Sequence, residues 1–199
     1  KGILNRLQAF EMCLEHYPQY HGKVKLVVVA VPSRTKVRQY NQLKEQIEKI
    51  IGRINGEYST INWTPISYLY RCLDFRQLTA LYNVADVALI TPLRDGMNLI
   101  AKEFVSCQQY KKHQGILILS EMAGAASELA EGIIVNPYDI WNIVQGIHQS
   151  VEMTHDDKKR RNHAMQDRLR RYTVGRWAGD FLDMLDEMHR NQEKLSTRK

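Results

Sequence analysis

The segment that decides the predicted fold reads Val87-Ala-Leu-Ile-Thr-Pro-Leu-Arg-Asp-Gly-Met-Asn-Leu-Ile-Ala-Lys-Glu-Phe104. It opens with a short apolar run, Val87 to Thr91, that ends before a proline and is typical of a strand buried on both faces. After Gly96 the apolar residues recur at helical spacing as far as Cys107. A strand, a polar turn and a helix form a common ligand-binding junction, because the helix N-terminus offers free N–H groups to an anion.

The residues of this turn suggest a site for a nucleotide or a phosphosugar. Gly96 would let a ligand approach the backbone, and the N–H groups of Met97, Asn98 and Leu99 could bind phosphate oxygens. Asp95 could accept hydrogen bonds from sugar hydroxyls, and Glu103, one helical turn after Leu99, could accept both hydroxyls of a ribose. A capped helix with solvated charges explains the same spacing equally well, so the residues alone leave both interpretations open.

Predicted strands and helices alternate along the chain, which indicates an α/β fold with a Rossmann-like parallel sheet covered by helices on both faces. The strands are predicted over 23–31, 61–70, 87–91, 116–120 and 132–135. The helices are predicted over 1–17, 35–54, 75–84, 99–107, 123–129, 140–153, 155–171 and 174–191. Asn55-Gly56 predicts a turn, and residues 192–199 predict a frayed polar tail.

The composition is that of one globular domain. The chain has 199 residues, 44% of them hydrophobic and 25% charged, which suffices for one buried core. No apolar run approaches the roughly 18 residues that cross a bilayer, and no signal peptide is present, so we expect a cytoplasmic protein without a membrane partner. Cys13, Cys72 and Cys107 lack metal-ligand spacing and predict reduced core thiols.

The net charge of +6 raises the question of nucleic-acid binding, because residues 158–171 carry seven Lys and Arg side chains against one acid. No nucleic-acid recognition motif accompanies this basic segment, so the pattern favours a solvated helix face. We therefore expect no nucleic-acid partner.

The string 91–104 closely resembles the donor-binding segment of trehalose-6-phosphate synthases, which are retaining glycosyltransferases with two Rossmann-like domains, the GT-B arrangement. The resemblance runs from Lys1 to about Asn191. It includes the motifs Lys1-Gly2-Ile3, Val31-Pro32-Ser33-Arg34, Gly52-Arg53-Ile54-Asn55-Gly56, Ala123-Gly124-Ala125-Ala126 and Val135-Asn136-Pro137. It implies that residues 1–191 form the C-terminal, donor-binding domain and that the N-terminal acceptor domain lies outside the chain.

The resemblance also implies roles for residues outside the turn. Lys1 would neutralise the donor's diphosphate as it leaves, and Arg34 would bind the phosphate of the acceptor, glucose 6-phosphate. Leu73, together with Cys72, would hold the base of the nucleotide through its backbone.

Within the turn, the resemblance makes Asp95 the residue that holds the transferred glucose, so that Lys1 and Asp95 would be the catalytic residues. Gly96, Met97, Asn98 and Leu99 would line the sugar and the diphosphate, and Glu103 would hold the ribose.

The implied reaction transfers glucose from UDP-glucose to glucose 6-phosphate with retention, the leaving phosphate helping to take the acceptor's proton. The sequence has no Asp-x-Asp motif of the metal-dependent class, so cations and a helix N-terminus would meet the charge, and we expect neither a metal nor another cofactor. The isolated chain should bind the donor without turning it over. Residues 166–178 resemble the end of a synthase module that continues into a phosphatase domain.

Two alternative functions and the base of the donor remain open at this stage. The chain could belong to a related transferase or pseudoglycosyltransferase with another donor or acceptor, or to a non-catalytic regulatory subunit, and the base of the donor is undecided.

In the resembling domain a central strand precedes Lys1-Gly2. We therefore expect the two neighbouring strands of this chain to have unpaired edges.

Overall fold

The structure is a computed structural model that describes residues 1–32, 38–110 and 113–196. The strands are β1 (Leu26–Val29), β2 (Ile66–Leu69), β3 (Val87–Ile90), β4 (Ile116–Ser120) and β5 (Ile133–Val135). The helices are α1 (Ile3–His16), α2 (Arg38–Tyr58), α3 (Phe75–Val84), α4 (Leu99–Cys107), α5 (Ile140–Glu152), α6 (His155–Arg171) and α7 (Val174–Ser196). No helix within these ranges is long and apolar enough to cross a membrane.

All strand pairs are parallel, but the strands form two sheets rather than one. β1 pairs with β2, and a second sheet has the order β3-β4-β5. The parallel pairing and the alternation with helices confirm the predicted α/β fold.

β1 and β3 each have an open edge. Asp86 O accepts a hydrogen bond from Ile116 N (3.0 Å) on β4, and successive residues of a strand direct their backbone groups to opposite edges. Val87 and Leu89 of β3 therefore face away from β4. Within the described part of the chain no strand pairs with the open edge of β1 or with that of β3. This agrees with the expectation of two unpaired neighbouring edges.

The two sheets differ in how well they are buried. Every residue of β4 is buried, and it lies in the larger apolar core together with residues of α4, α5 and α6. The smaller core packs α2 on β1 and β2, and consists of Leu7, Phe10, Leu14, Ile47, Ile51, Ile54 and Ile66. α1 contributes to both cores and so links the two sheets.

One turn prediction and one helix prediction were wrong. α2 continues through Asn55-Gly56 to Tyr58, and the amide side chain of Asn55 pairs with both the N–H and the carbonyl of Ile66 at 3.0 Å. The helix predicted over 123–129 is only a short 3₁₀ turn, Gly124–Ala126, because Ala123 instead bridges to Asp95 as a strand would.

Other predictions need smaller corrections. α7 continues past the predicted end at Asn191 to Ser196. Of the predicted core thiols, Cys13 is buried and its burial raises the pKa of the thiol to about 12, whereas Cys72 is exposed.

The basic face of α6, predicted to be solvated, makes contacts with the rest of the protein through several of its side chains. Arg168 pairs with Glu131 at 2.7 Å, and Arg161 donates to the Glu131 carbonyl at 2.9 Å.

Candidate functional site

The candidate site lies where β3 and β4 end. Since the strands are parallel, the loop after β3 and the loop after β4 emerge at the same edge of the sheet. Asp95 donates its backbone N–H to Met122 O (3.2 Å), and Gly124 donates to Asp95 O (3.0 Å). These bonds extend the pairing of β3 and β4 into the loops and hold the turn at Asp95 against the protein.

The turn at Asp95 also holds its own shape. One carboxylate oxygen of Asp95 accepts from the N–H of Met97 (3.3 Å), and the other accepts from the side-chain amide of Asn98 (3.0 Å). Asn98 has φ of 74°, a left-handed conformation that asparagine tolerates better than most residues. Its side-chain oxygen caps α4 by accepting from Ala101 N (3.0 Å).

This arrangement refines the predicted roles of the turn residues. The N–H of Met97 donates to Asp95, so it is not free for a phosphate as the sequence suggested. The N–H groups of Asn98 and Leu99 have no hydrogen-bond partner within the described ranges. Both are free donors at the start of α4, where the helix dipole favours an anion.

The close approach of backbones occurs at Gly124 rather than at Gly96. A Cβ on Gly124 would lie 2.0 Å from the carbonyl oxygen of Gly96, whereas the corresponding space beside Gly96 is open for at least 4 Å. Sequence reasoning missed this contact, and its signal was the run of small residues Ala123–Ala126. The open space beside Gly96 leaves room for a ligand at the turn.

Lys1 and Gly2 lie beside the end of β3. Gly2 has φ of 66°, and a Cβ there would lie 2.1 Å from Thr91 O, so only glycine fits. Lys1, one of the two predicted catalytic residues, therefore lies beside the end of the strand whose following turn carries the other, Asp95.

Arg6 is a cation that sequence reasoning missed. Its guanidinium donates to Lys1 O (3.0 Å) and to Leu89 O on the open edge of β3 (3.2 Å), and burial lowers its pKa to about 10. Both of these acceptors are carbonyls, which carry no formal charge. They therefore do not neutralise the positive charge of Arg6, which acts on the surroundings of Lys1. The only sequence signal was an arginine among the apolar positions of α1.

Glu103 lies on α4, one helical turn after Leu99, with its side chain exposed. One of its carboxylate oxygens accepts a hydrogen bond from the hydroxyl of Tyr82 on α3 (3.1 Å). The adjacent Lys102 pairs instead with Glu128, with N–O distances of 2.8 and 2.9 Å. No Lys or Arg side chain among the described residues forms an ion pair with Glu103.

The remaining predicted residues are not joined to this turn by any described hydrogen bond. Leu73 lies in the loop between β2 and α3, next to Asp74, which caps α3 by accepting from Gln77 N (2.8 Å). Arg34 lies outside the described residues. Among the described residues no group of three or more His, Cys, Asp and Glu side chains could hold a metal ion.

A family comparison identifies the kind of protein in which this site occurs. The sequence model of glycosyltransferase family 20 matches residues 1–187. The chain belongs to this family. Relatives within the family confirm the similarity to trehalose-6-phosphate synthases that was first inferred from the motif around Asp95.

Two curated relatives of this family 20 chain show how much of a longer protein it matches. It is 50% identical over 92% of its length to a bifunctional trehalose-6-phosphate synthase/phosphatase of Thermoproteus tenax, and it covers 25% of that protein. It is 42% identical over 92% of its length to a glucosylglycerol-phosphate synthase of Pseudomonas anguilliseptica, and covers 24% of it. The chain thus spans about a quarter of each, and family membership does not by itself fix the acceptor.

Solved structures of family 20 relatives match the fold. An α,α-trehalose-phosphate synthase (UDP-forming) from Burkholderia xenovorans, in complex with glucose-6-phosphate, superposes on 94% of this chain with a TM-score of 0.89 and 39% identity. The E. coli homologue bound with UDP-2-fluoro glucose superposes on 93% with a TM-score of 0.88 and 39% identity. This chain covers 41% of each of these structures, so it corresponds to part of a GT-B enzyme.

Proposed function

We propose that the chain forms the donor site of a retaining hexosyltransferase that transfers glucose from UDP-glucose to glucose 6-phosphate. The turn from Asp95 to Leu99 carries this proposal. It combines free N–H groups at a helix start, open space beside Gly96 and a carboxylate at the end of a parallel strand. The bound UDP-2-fluoro glucose of the E. coli homologue supports the choice of donor.

In this proposal the diphosphate lies at the start of α4. The N–H groups of Asn98 and Leu99 bind its oxygens, and the helix dipole and Lys1 stabilise the negative charge that grows as the glucosyl bond breaks. Arg6 adds positive charge behind Lys1 and holds the Lys1 carbonyl. The departing phosphate then takes the proton of the acceptor hydroxyl.

The sugar and the ribose are held by different carboxylates. Asp95 accepts hydrogen bonds from hydroxyls of the transferred glucose, using lone pairs that its bonds to Met97 and Asn98 leave free. Glu103, one turn along α4, accepts the ribose hydroxyls. Leu73 contributes backbone contacts to the base.

This chain tests the donor half of the proposal more directly than the acceptor half, because Arg34 is the one acceptor residue predicted within it. The glucosylglycerol-phosphate synthase relative makes a transferase with another acceptor the second candidate. The bifunctional relative supports a natural protein in which a phosphatase domain accompanies this one. An N-terminal acceptor domain would complete the proposed enzyme, which we place in the cytoplasm.

Calorimetric titration with UDP and with UDP-glucose tests the proposal, and GDP-glucose and ADP-glucose test the base. We expect Glu103→Gln to weaken both uridine ligands by ~1–3 kcal/mol, because a charge-assisted contact to the ribose is lost. Asp95→Asn keeps an acceptor for Met97 N–H and should weaken UDP-glucose more than UDP. Glu45→Gln, at an exposed position of α2, is the matched control.

A folded chain that gives no heat with any of these nucleotides contradicts the donor site. Equal losses of UDP affinity in Asp95→Asn and Glu103→Gln would instead contradict the division between a sugar-binding and a ribose-binding carboxylate.

A further inference from the structure

The Tyr82 hydroxyl is the hydrogen-bond partner of the Glu103 carboxylate. It reaches from α3 to Oε2 of Glu103 on α4 at 3.1 Å, and the other oxygen, Oε1, has no hydrogen-bond partner in the described part of the chain. An exposed glutamate is otherwise free to adopt several rotamers, each of which loses entropy when it is fixed by a ligand.

Tyr82 itself is held by the buried core. Its ring packs edge-on against the fully buried Phe104, with ring centroids 6.2 Å apart and an interplanar angle of 85°. Its backbone carbonyl accepts from the side chain of the buried Gln108 (2.9 Å), whose oxygen in turn accepts from Gly115 N (2.8 Å). The hydroxyl therefore presents its hydrogen from a fixed position.

The hydroxyl also remains a donor at neutral pH. Burial, and after it the charge of Glu103, raises the pKa of Tyr82 above its ordinary value. A protonated tyrosine can donate to only one acceptor, and here that acceptor is Oε2 of Glu103. The carboxylate is fixed on one side and keeps lone pairs for two hydroxyls on the other.

We propose that Tyr82 is a positioning residue that orients Glu103 for the two hydroxyls of the donor's ribose. This inference rests on the proposed function, since Glu103 acts on the ribose only if the turn binds a nucleotide. Tyr82 contributes by fixing the carboxylate before the ligand arrives, which lowers the entropy lost on binding. A role limited to packing α3 on α4 would need the ring of Tyr82 and not its hydroxyl.

The experiment compares Tyr82→Phe, Glu103→Gln and the double variant by calorimetry with UDP and with 2′-deoxyuridine diphosphate. Phenylalanine keeps the ring contact with Phe104, and thermal unfolding checks that each variant is folded. Tyr68→Phe removes the hydroxyl of a half-buried tyrosine on β2 and is the matched control. We expect Tyr82→Phe to weaken the binding of UDP about three- to tenfold, the effect of losing one hydrogen bond. The binding of the deoxynucleotide should weaken less.

In the double variant, the fold-loss of UDP affinity should be smaller than the product of the fold-losses in the two single variants, because Tyr82 acts through Glu103. Unchanged UDP affinity in Tyr82→Phe, with Glu103→Gln weakened, overturns the positioning role and leaves the proposed function standing. Unchanged UDP affinity in Glu103→Gln overturns the ribose contact itself, and the positioning role with it.

Discussion

The two sheets of this chain differ in burial, although both are built from parallel strands and covered by helices. In the three-stranded sheet the central strand β4 is buried along its whole length. In the two-stranded sheet no residue of β1 is fully buried, and Val27 is 41% exposed. A central strand with neighbours on both sides is therefore what separates a well-buried sheet from a poorly buried one.

The candidate site follows the same division. The turn from Asp95 to Leu99 is hydrogen-bonded to the loop after β4, which belongs to the well-buried sheet. Leu73, predicted to contact the base, follows β2 of the two-stranded sheet. In the proposed function, the diphosphate and sugar end of the site would therefore be preorganised by the larger core, while the base end would depend on the less buried sheet.

The largest effect should come from supplying a strand to the open edges. A chain that carries a strand's length of natural sequence before Lys1 should unfold at a higher temperature, because each new backbone hydrogen bond is worth about 0.5–1.5 kcal/mol. We expect slow hydrogen exchange in the buried strand β4, and in the longer chain this protection should extend to β1. Thermal melts and exchange measurements on both lengths check this. An equally stable short chain would contradict the predicted position of the first strand.

How far the sequence predicted the fold depended on how local the signal was. The boundaries of β4 follow from a continuous apolar run, and α3 and α6 begin where predicted because Asp74 and Thr154 cap them. The sequence also identified the turn at Asp95.

The missed features depend on contacts between distant segments. Gly124 contacts the backbone of Gly96, Arg6 donates to the Leu89 carbonyl, and Tyr82 donates to Glu103. The spacing of residues along the sequence does not predict such contacts. Likewise Gly56 predicted a turn, but packing of α2 against β2 and the Asn55 contact with Ile66 kept the helix intact.

The next effect compares the same substitution in the two sheets. Leu119→Ala on β4 should lower the free energy of unfolding by about 2–5 kcal/mol, because a fully buried side chain leaves a cavity. Leu26→Ala on the half-buried β1 should cost less than about 2 kcal/mol. Chemical denaturation of both variants measures the difference. Equal losses would mean that the two sheets are equally well packed in solution.

A smaller effect on stability is expected for two glycine substitutions. Its sign should be opposite in the loop after β4 and in α2. Gly124→Ala places a methyl group 2.0 Å from Gly96 O, so the turn must shift, and both stability and UDP affinity should fall. Gly56→Ala, with nothing within 4 Å on α2, should stabilise the helix by about 0.5–1 kcal/mol and leave UDP binding unchanged. Thermal unfolding and calorimetry read both quantities. A stabilising Gly124→Ala would contradict the close approach of the two loops.

The central claim is that the turn at the end of β3 binds the diphosphate of a nucleotide donor. Its most direct test is a titration of the ¹⁵N-labelled chain with UDP, followed by the amide signals of each residue. We predict the largest shifts at Asn98 and Leu99, smaller ones at Glu103 and Leu73, and none along β1. Binding that leaves the Asn98 and Leu99 amides unmoved, or that shifts mainly β1, would contradict the account.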